Sequence, residues 1–378
     1  MSARFVVVRG SARAERNAIS LLCFLCVTDY YKSGCNTRSR GQAMPGLVQF
    51  ALGVLGEPRR LRRVVFSTPG RGGIATLWIA AALLAAMLAG GCGEAGPSSG
   101  KLDVIWGRRG VSDGRMQKPR AIAIDDQERI YIVDMTARIQ VFNTEGEFIR
   151  SWQTPVHTNG RPTGLAIDRR GNVVVSDTHY YQVLIYSPEG ELKEWIGGQQ
   201  GPELGQFGWV TDCVEDSQGN RYVSEYGEYD RIQKIAPDKT FLKQWGGHGS
   251  APGEFIRPQG MSFDEQDRLW VVDACNHRIQ VFDTEGNLIQ VWGESGSEPG
   301  QLYYPYDMVH DDQQNVYICE YGNHRVQKFT RDGKSLGVWG HEGRGPGELF
   351  NPWGLVRDKQ GRIYVLDTNN HRVQRVLM

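Results

Sequence analysis

Tryptophan recurs at positions 106, 152, 195, 245, 292 and 339, at spacings of 46, 43, 50, 47 and 47 residues. A period of this length marks a repeat architecture, and it constrains the fold more than any single motif does. Within each unit one Asp is followed nine residues later by a second acid. The pairs are Asp125/Asp134, Asp168/Asp177, Asp216/Glu225, Asp264/Asp273, Asp311/Glu320 and Asp358/Asp367. Six matched pairs in one register define six units.

Each unit holds four short strand signals separated by turn chemistry. In the fourth, Gly260-Met-Ser-Phe, Arg268-Leu-Trp-Val-Val, Arg278-Ile-Gln-Val-Phe and Asn287-Leu-Ile-Gln-Val-Trp are the strands. Asp264-Glu-Gln-Asp and Asp283-Thr-Glu-Gly are the turns, where Asp and Gly tolerate the required backbone angles. No stretch shows a sustained helical period. Four strands per unit of roughly 40–50 residues is the pattern of propeller blades. The last unit stops after its third strand at Val373-Gln-Arg-Val-Leu-Met, and the missing fourth strand reads at the other end as Leu102-Asp-Val-Ile-Trp-Gly107. The sequence therefore predicts an all-β, six-bladed β-propeller of four-stranded antiparallel blades. Its ring is closed by the N-terminal strand at about 102–106, which removes the free strand edges.

The stretch Pro-Gly-Glu-Phe255-Ile-Arg-Pro-Gln-Gly260, then Asp273-Ala-Cys-Asn276-His277-Arg278-Ile-Gln-Val-Phe, resembles the NHL repeat. Asn323-His324-Arg325 and Asn370-His371-Arg372 repeat its naming triplet. The first three units depart from it, with Thr136-Ala-Arg138, His179-Tyr-Tyr181 and Glu228-Tyr-Asp-Arg231. The resemblance covers residues 101–378 and implies the propeller fold; it leaves function open, because such propellers serve as lyases, hydrolase-like enzymes and adaptors.

Ahead of the repeats, residues 1–91 carry 12 Lys/Arg against 3 Asp/Glu, and residues 92–378 carry 31 against 40. A basic leader thus precedes an acidic body, which disfavours nucleic acid as a partner. Within the leader, residues 74–91 form an uncharged apolar run preceded by Arg59, Arg60, Arg62, Arg63 and Arg71, the parts of a secretory signal. Cys92 after Leu-Ala-Gly-Gly resembles the lipobox of bacterial lipoproteins, although Ala89 stands where the box usually places Leu. The resemblance implies lipidation of Cys92, a tether over 92–100 and a place in the bacterial cell envelope, periplasmic or at the cell surface. An uncleaved spanning helix and ordinary signal cleavage are the rivals, the run approaching the ~20 residues a bilayer needs. Residues 1–73 show no periodicity, and the start of translation is expected later, at Met44 or near Val64 or Val65. Downstream of Cys92 only Cys213, Cys275 and Cys319 remain, with no metal-binding spacing, and these are expected to be buried or half-buried thiols.

In a propeller, the loop leading into the innermost strand and the loop joining strands two and three open on one face, and function usually lives in such loops. The first supplies Arg120, Thr163, Thr211, Gln259, Tyr306 and Trp353 around the channel mouth. With Tyr181, Tyr226 and Tyr321 these are the expected ligand-binding residues, an aromatic platform for a protein segment, a carbohydrate or another small molecule. The tryptophans of the repeat are expected to pack between blades. His277, His324 and His371 are expected to be structural, each bonded within its own loop. Amidating lyases of similar fold use histidines in the Pro-x-Gly loop for zinc, and gluconolactonase-like propellers use Asn or Asp there; neither set is present.

Units three and five depart from the repeat, placing Asp212 and Asp307 where the others have Ala or Gly, with Glu225 and Glu320 thirteen residues on. Such carboxylates share a proton, meet a cation or pair with arginine, here Arg231 or Arg325. The four are the candidate ligands for a divalent cation; no cofactor is required otherwise. The favoured reading is an exported, membrane-tethered binding scaffold. The alternative is a metal-dependent hydrolase or lyase with its acidic site at the channel mouth and Arg120 as electrophile, and a purely structural assembly subunit is a third reading.

Overall fold

The computed structural model describes residues 99–378. The apolar run 74–91, Cys92 and most of the 92–100 tether lie outside the described residues. Within them the chain forms six four-stranded antiparallel sheets. Blade 1 occupies residues 119–153, blade 2 164–197, blade 3 209–246, blade 4 258–292 and blade 5 305–339. Blade 6 takes residues 354–377 and is completed by β1 (Lys101–Trp106). In blade 4 the strands are β14 (Pro258–Phe263), β15 (Leu269–Asp273), β16 (Arg278–Phe282) and β17 (Leu288–Trp292), close to the bounds read from the sequence. Helical structure among the described residues is confined to three single 3-10 turns.

The ring closes as the two ends of the repeat predict. β1 runs antiparallel to β24 (Arg372–Leu377), with Trp106 opposite Val373 and Lys101 opposite Leu377, and Arg375 Nε donates to Asp103 at 2.6 Å. The two acids of each unit lie at opposite ends of the second strand, which explains their constant spacing. Asp264 caps the hairpin turn, taking the N–H groups of Gln266 and Arg268 on Oδ1 and Trp270 Nε1 on Oδ2 at 2.8 Å. Asp273 sits at the other end, on the face where the strand-leading loops gather.

The core lies between blades. Trp270, Val272 and Ile279 of blade 4 pack on Met308, Val316 and Ile318 of blade 5, all at most 4 % exposed. Most of the repeated tryptophans belong to these seams: Trp106 meets Phe142 at 4.6 Å, Trp292 meets Phe329 at 5.2 Å, and Trp339 is 3 % exposed. Trp195 is the exception, at 60 % exposed. In blade 2 Ile196 pairs with Val183 and takes the buried place at 3 % exposed, so Trp195 falls one residue out of register and points outward. The side-chain period of two makes a single-residue offset change face.

Blade 4 shows how the upper acid is held. Asp273, fully buried, accepts the Ile256 N–H on Oδ1 at 2.9 Å and Arg278 Nε on Oδ2 at 2.7 Å. Gln280 and Asn276 donate side-chain amides to the same carboxylate, and the Arg278 guanidinium also donates to the carbonyls of Ser250, Ala251 and Glu254. The loop 247–257 that supplies these carbonyls plugs Phe255 beneath itself, against Gly246, where a Cβ would lie 2.7 Å from the ring. Acid, arginine and loop therefore form one closed circuit, in which a buried charge has both its counter-ion and its hydrogen bonds.

Candidate functional site

The six residues expected around the channel mouth do meet. Arg120, Thr163, Thr211, Gln259, Tyr306 and Trp353 line one cavity of about 30 Å³ together with Asp212 and Asp307. That is room for a few water molecules.

The rim carries a continuous arc of stacked groups. Trp209, 39 % exposed, packs on Tyr226 at 5.1 Å between centroids. The Arg257 guanidinium lies over Tyr226 at 5.0 Å and over Tyr306 at 5.3 Å. Tyr306 stacks on Tyr321 at 4.6 Å and meets Trp353 edge-on at 4.9 Å. Arg120 closes the arc over Trp353 at 5.3 Å. Ring faces and guanidinium planes attract one another through the ring quadrupole, which holds the arc in place. Tyr306, only 5 % exposed, is its floor, and burial raises its phenol above the ordinary range.

Two members of this arc were not read from the sequence. Trp209 and Arg257 both stand directly before the first residue of the Pro-x step, and Arg257 has a positive φ of 60°. A residue turned into the left-handed region sends its side chain sideways along the ring instead of toward the strand. Tyr181 behaves differently from Tyr226 and Tyr321. Its φ is 54°, and its ring packs on the core between blades 2 and 3 rather than joining the arc.

The four candidate acids fall into two separate settings. Glu225 and Glu320 occupy the upper-acid circuit. Arg231 Nε donates to Glu225 at 2.8 Å and Arg325 Nε to Glu320 at 2.6 Å, with Gln233 and Gln327 beside them. Asp212 and Asp307 face the channel instead. Asp212 accepts the N–H groups of Cys213 and of Met261 in the next blade, both at 2.8 Å. Asp307 accepts those of Met308 at 2.8 Å and of Leu355 in the next blade at 3.0 Å. Glycine alternates with them: a Cβ on Gly260 would lie 2.6 Å from Asp307 Oδ1, and one on Gly164 2.9 Å from the Asp212 Cα. The Asp substitutions in blades 3 and 5 are thus packed against Gly in blades 2, 4 and 6.

Burial pushes the Asp212 carboxyl up to about 7 against the pull of its two backbone donors. Burial pushes Asp307 up to about 8; the Leu355 N–H opposes this, and the charge of Asp212 adds to it. Between them in blade 4 lies Gln259, 4 % exposed, whose Nε2 is buried without a partner. Among the described residues no group of three or more His, Cys, Asp or Glu side chains is gathered in metal-binding geometry. Cys213 and Cys319 are buried and Cys275 half-buried, and none of the three is in a disulfide.

Comparison with known proteins places this geometry. The family profile described as NHL repeat matches residues 255–282 and 351–376. NHL repeat-containing protein 3 of Mus musculus is 28 % identical over 181 residues, which is 43 % of this chain and 51 % of that protein. Peptidyl-glycine alpha-amidating monooxygenase B of Xenopus laevis is 35 % identical over 189 residues, 48 % of this chain and 20 % of the relative. The chain therefore spans about half the length of the first relative and a fifth of the second. Among solved structures, a streptogramin B lyase superposes with a TM-score of 0.54 at 13 % identity, covering 74 % of this chain and 97 % of the lyase. A gluconolactonase from Xanthomonas campestris gives 0.55 at 12 % identity, covering 70 % and 87 %. At these identities the likeness is one of fold. Residue pattern, blade topology and these matches agree that the chain carries NHL repeats built into a six-bladed β-propeller.

Proposed function

We propose that this propeller is an exported, membrane-tethered binding scaffold that holds a protein segment, a carbohydrate or another small molecule on its channel rim. The arc running from Trp209 through Tyr226, Arg257, Tyr306, Tyr321 and Trp353 to Arg120 carries the reading. Aromatic faces offer stacking area at low conformational cost, and the guanidinium groups among them favour polar or anionic atoms on the ligand. The small volume of the cavity at the mouth favours a ligand held on the rim above it. Tethering through lipidated Cys92 rests on the leader sequence; the mass of the mature N-terminal peptide, isolated from bacterial envelopes, tests it directly.

Oligosaccharide and peptide arrays probed with residues 93–378 test the binding reading. A ligand retained by the wild type and lost in both Trp209→Ala and Arg257→Ala supports the rim as the site. A ligand whose affinity is the same in all three proteins overturns it.

One observation favours a second reading, a metal-dependent hydrolase or lyase. Asp212 and Asp307 bring two carboxylates to the channel beside the unpartnered amide of Gln259. A divalent cation there would be held by Asp212 and Asp307. Thermal unfolding with calcium, magnesium, manganese and zinc in turn tests it. An ion at ~100 times its dissociation constant adds about 2.7 kcal/mol of stability, and Asp307→Asn should abolish that gain. No response to any of the four ions counts against this reading.

A further inference from the structure

Blade 2 keeps the upper acid but has lost everything that neutralises it. In blade 4 the acid Asp273 receives a loop N–H, an arginine, a glutamine and an asparagine. At the equivalent places blade 2 has no loop of this kind, Gln182 for the arginine, Leu184 for the glutamine and Tyr180 for the asparagine. The other five junctions each carry the loop, marked by a short parallel bridge such as His248 to Phe255; the connection 154–163 into blade 2 shows none. The arginine is present in the other five blades and its counter-ion is the upper acid each time. Asp177 is nonetheless fully buried. Gln182 Nε2 reaches its Oδ2 at 3.2 Å, and Oδ1 has no partner.

A buried carboxylate oxygen without a donor is costly, and proteins rarely leave one so. The five complete blades show what this fold uses to satisfy it: a forked guanidinium that donates to the acid and, at the same time, to backbone carbonyls. Both the fork and the loop it clasps are missing together from blade 2, so the vacancy has the chemistry of the whole circuit and not of one substitution. We propose that Asp177 is the receptor for an arginine side chain presented by an extended segment of a partner protein, which completes blade 2 in trans as Arg278 completes blade 4 in cis. The partner's guanidinium takes both carboxylate oxygens while Gln182, itself part-exposed, swings aside. Arginine suits the slot better than lysine because two oxygens must be met in one plane. Burial raises the Asp177 carboxyl to about 6, countered only by Gln182.

The probe is L-argininamide, with L-citrullinamide as its neutral isostere, read by backbone amide shifts of residues 176–182 and by the thermal midpoint of residues 93–378. Argininamide is expected to give saturable shifts confined to that segment, with citrullinamide giving none. Asp177→Asn should abolish the response. Gln182→Arg should abolish it too, while raising the midpoint, because it refills the vacancy from within the chain; this variant decides the matter if Asp177→Asn fails to fold. The rim variants Trp209→Ala and Arg257→Ala should respond as the wild type does. Equal shifts with the two amides, a response that persists in Gln182→Arg, or one lost in the rim variants overturns the proposal.

Discussion

His277 accepts the backbone N–H of Tyr304 on Nδ1 at 3.0 Å, so the side chain that names the repeat ties blade 4 to blade 5. The sequence reading had it bonded within its own loop. His324 does the same for Asn351, and His371 for Lys118 across the ring closure, each at 2.9 Å. Every recipient residue has a positive φ, from 47° to 50°, which turns its N–H back toward the preceding blade. In blade 3 Asp230 stands at the histidine position and accepts the Arg257 N–H at 3.0 Å. The motif is therefore a staple between neighbouring blades, and a carboxylate can replace the ring.

The staple predicts a pH dependence. Nδ1 accepts a hydrogen bond only when it carries no proton, and burial lowers the titration of all three rings. A lowered folded pKa means the folded chain binds fewer protons than the unfolded chain, whose histidines titrate near ~6.5. The contribution is complete above that pH and is lost as pH falls below it. Replacing His324 by Gln keeps an acceptor and removes the titration. The variant should show a shallower fall of unfolding free energy between pH 7 and 5 than the wild type. Parallel pH profiles would mean that His324 titrates alike in the folded and unfolded chains, so that the staple contributes no pH dependence.

Trp195 and Trp339 share a place in the repeat but not in the structure, at 60 % and 3 % exposed. Trp339→Ala should cost about 3–5 kcal/mol, the usual loss for emptying a buried aromatic site. Trp195→Ser should stay within about 0.5 kcal/mol, as exposed substitutions do. Urea unfolding of the two variants separates them, and a large loss for Trp195→Ser would mean the outward register is wrong.

The fold was legible because the repeat samples one structural problem six times. Strand bounds, blade number and the closing strand follow from alternation, turn residues and the displaced Leu102–Gly107 segment. The mouth was legible in part: the Pro-x position marks the inner strand, so its six residues could be assigned to the channel. Arg257 escaped because its place on the rim depends on a backbone reversal just before the strand, and Trp209 because it stands one residue ahead of the mouth position as the first residue of its strand. The split between Asp212 and Glu225 escaped for another reason. Both sit near the mouth on paired strands, but Asp212 lies opposite Ser224 while Glu225 lies opposite Val210, and the register alone decides which side chain enters the channel.

Ring closure gives a third prediction. β1 contributes the outer strand of blade 6, its Trp106 packs against Phe142 of blade 1, and Asp103 pairs with Arg375. Removing residues 101–106 leaves the backbone of β24 as an open edge, a template for pairing with another chain. Light scattering should show concentration-dependent association of the truncated protein, and a synthetic peptide of residues 101–107 added in excess should suppress it. A truncated chain that stays monomeric and unfolds at the wild-type midpoint would show that closure adds little.

The channel aspartates act in the opposite direction to the histidines. Burial pushes Asp212 up to about 7 and Asp307 up to about 8 in the folded chain, against ~3.9 for an unfolded aspartate. Between those limits the folded state binds more protons than the unfolded state, so stability falls as pH rises. Each group that differs by one proton changes stability by about 1.4 kcal/mol per pH unit, an upper figure because each carboxylate also accepts two backbone N–H groups that favour its charge. The two titrations overlap with those of the histidines, so the wild-type profile alone cannot separate them. The difference between wild type and Asp307→Asn can. That difference should favour the wild type at pH 5 and shrink or reverse by pH 8, as the aspartate loses its proton and the asparagine does not. Double replacement with Asp212→Asn should enlarge the change, because a second carboxyl raised by burial is removed. A pH-independent difference would mean that both carboxylates are already ionised at pH 5, with water or a cation in the neck sustaining the charge.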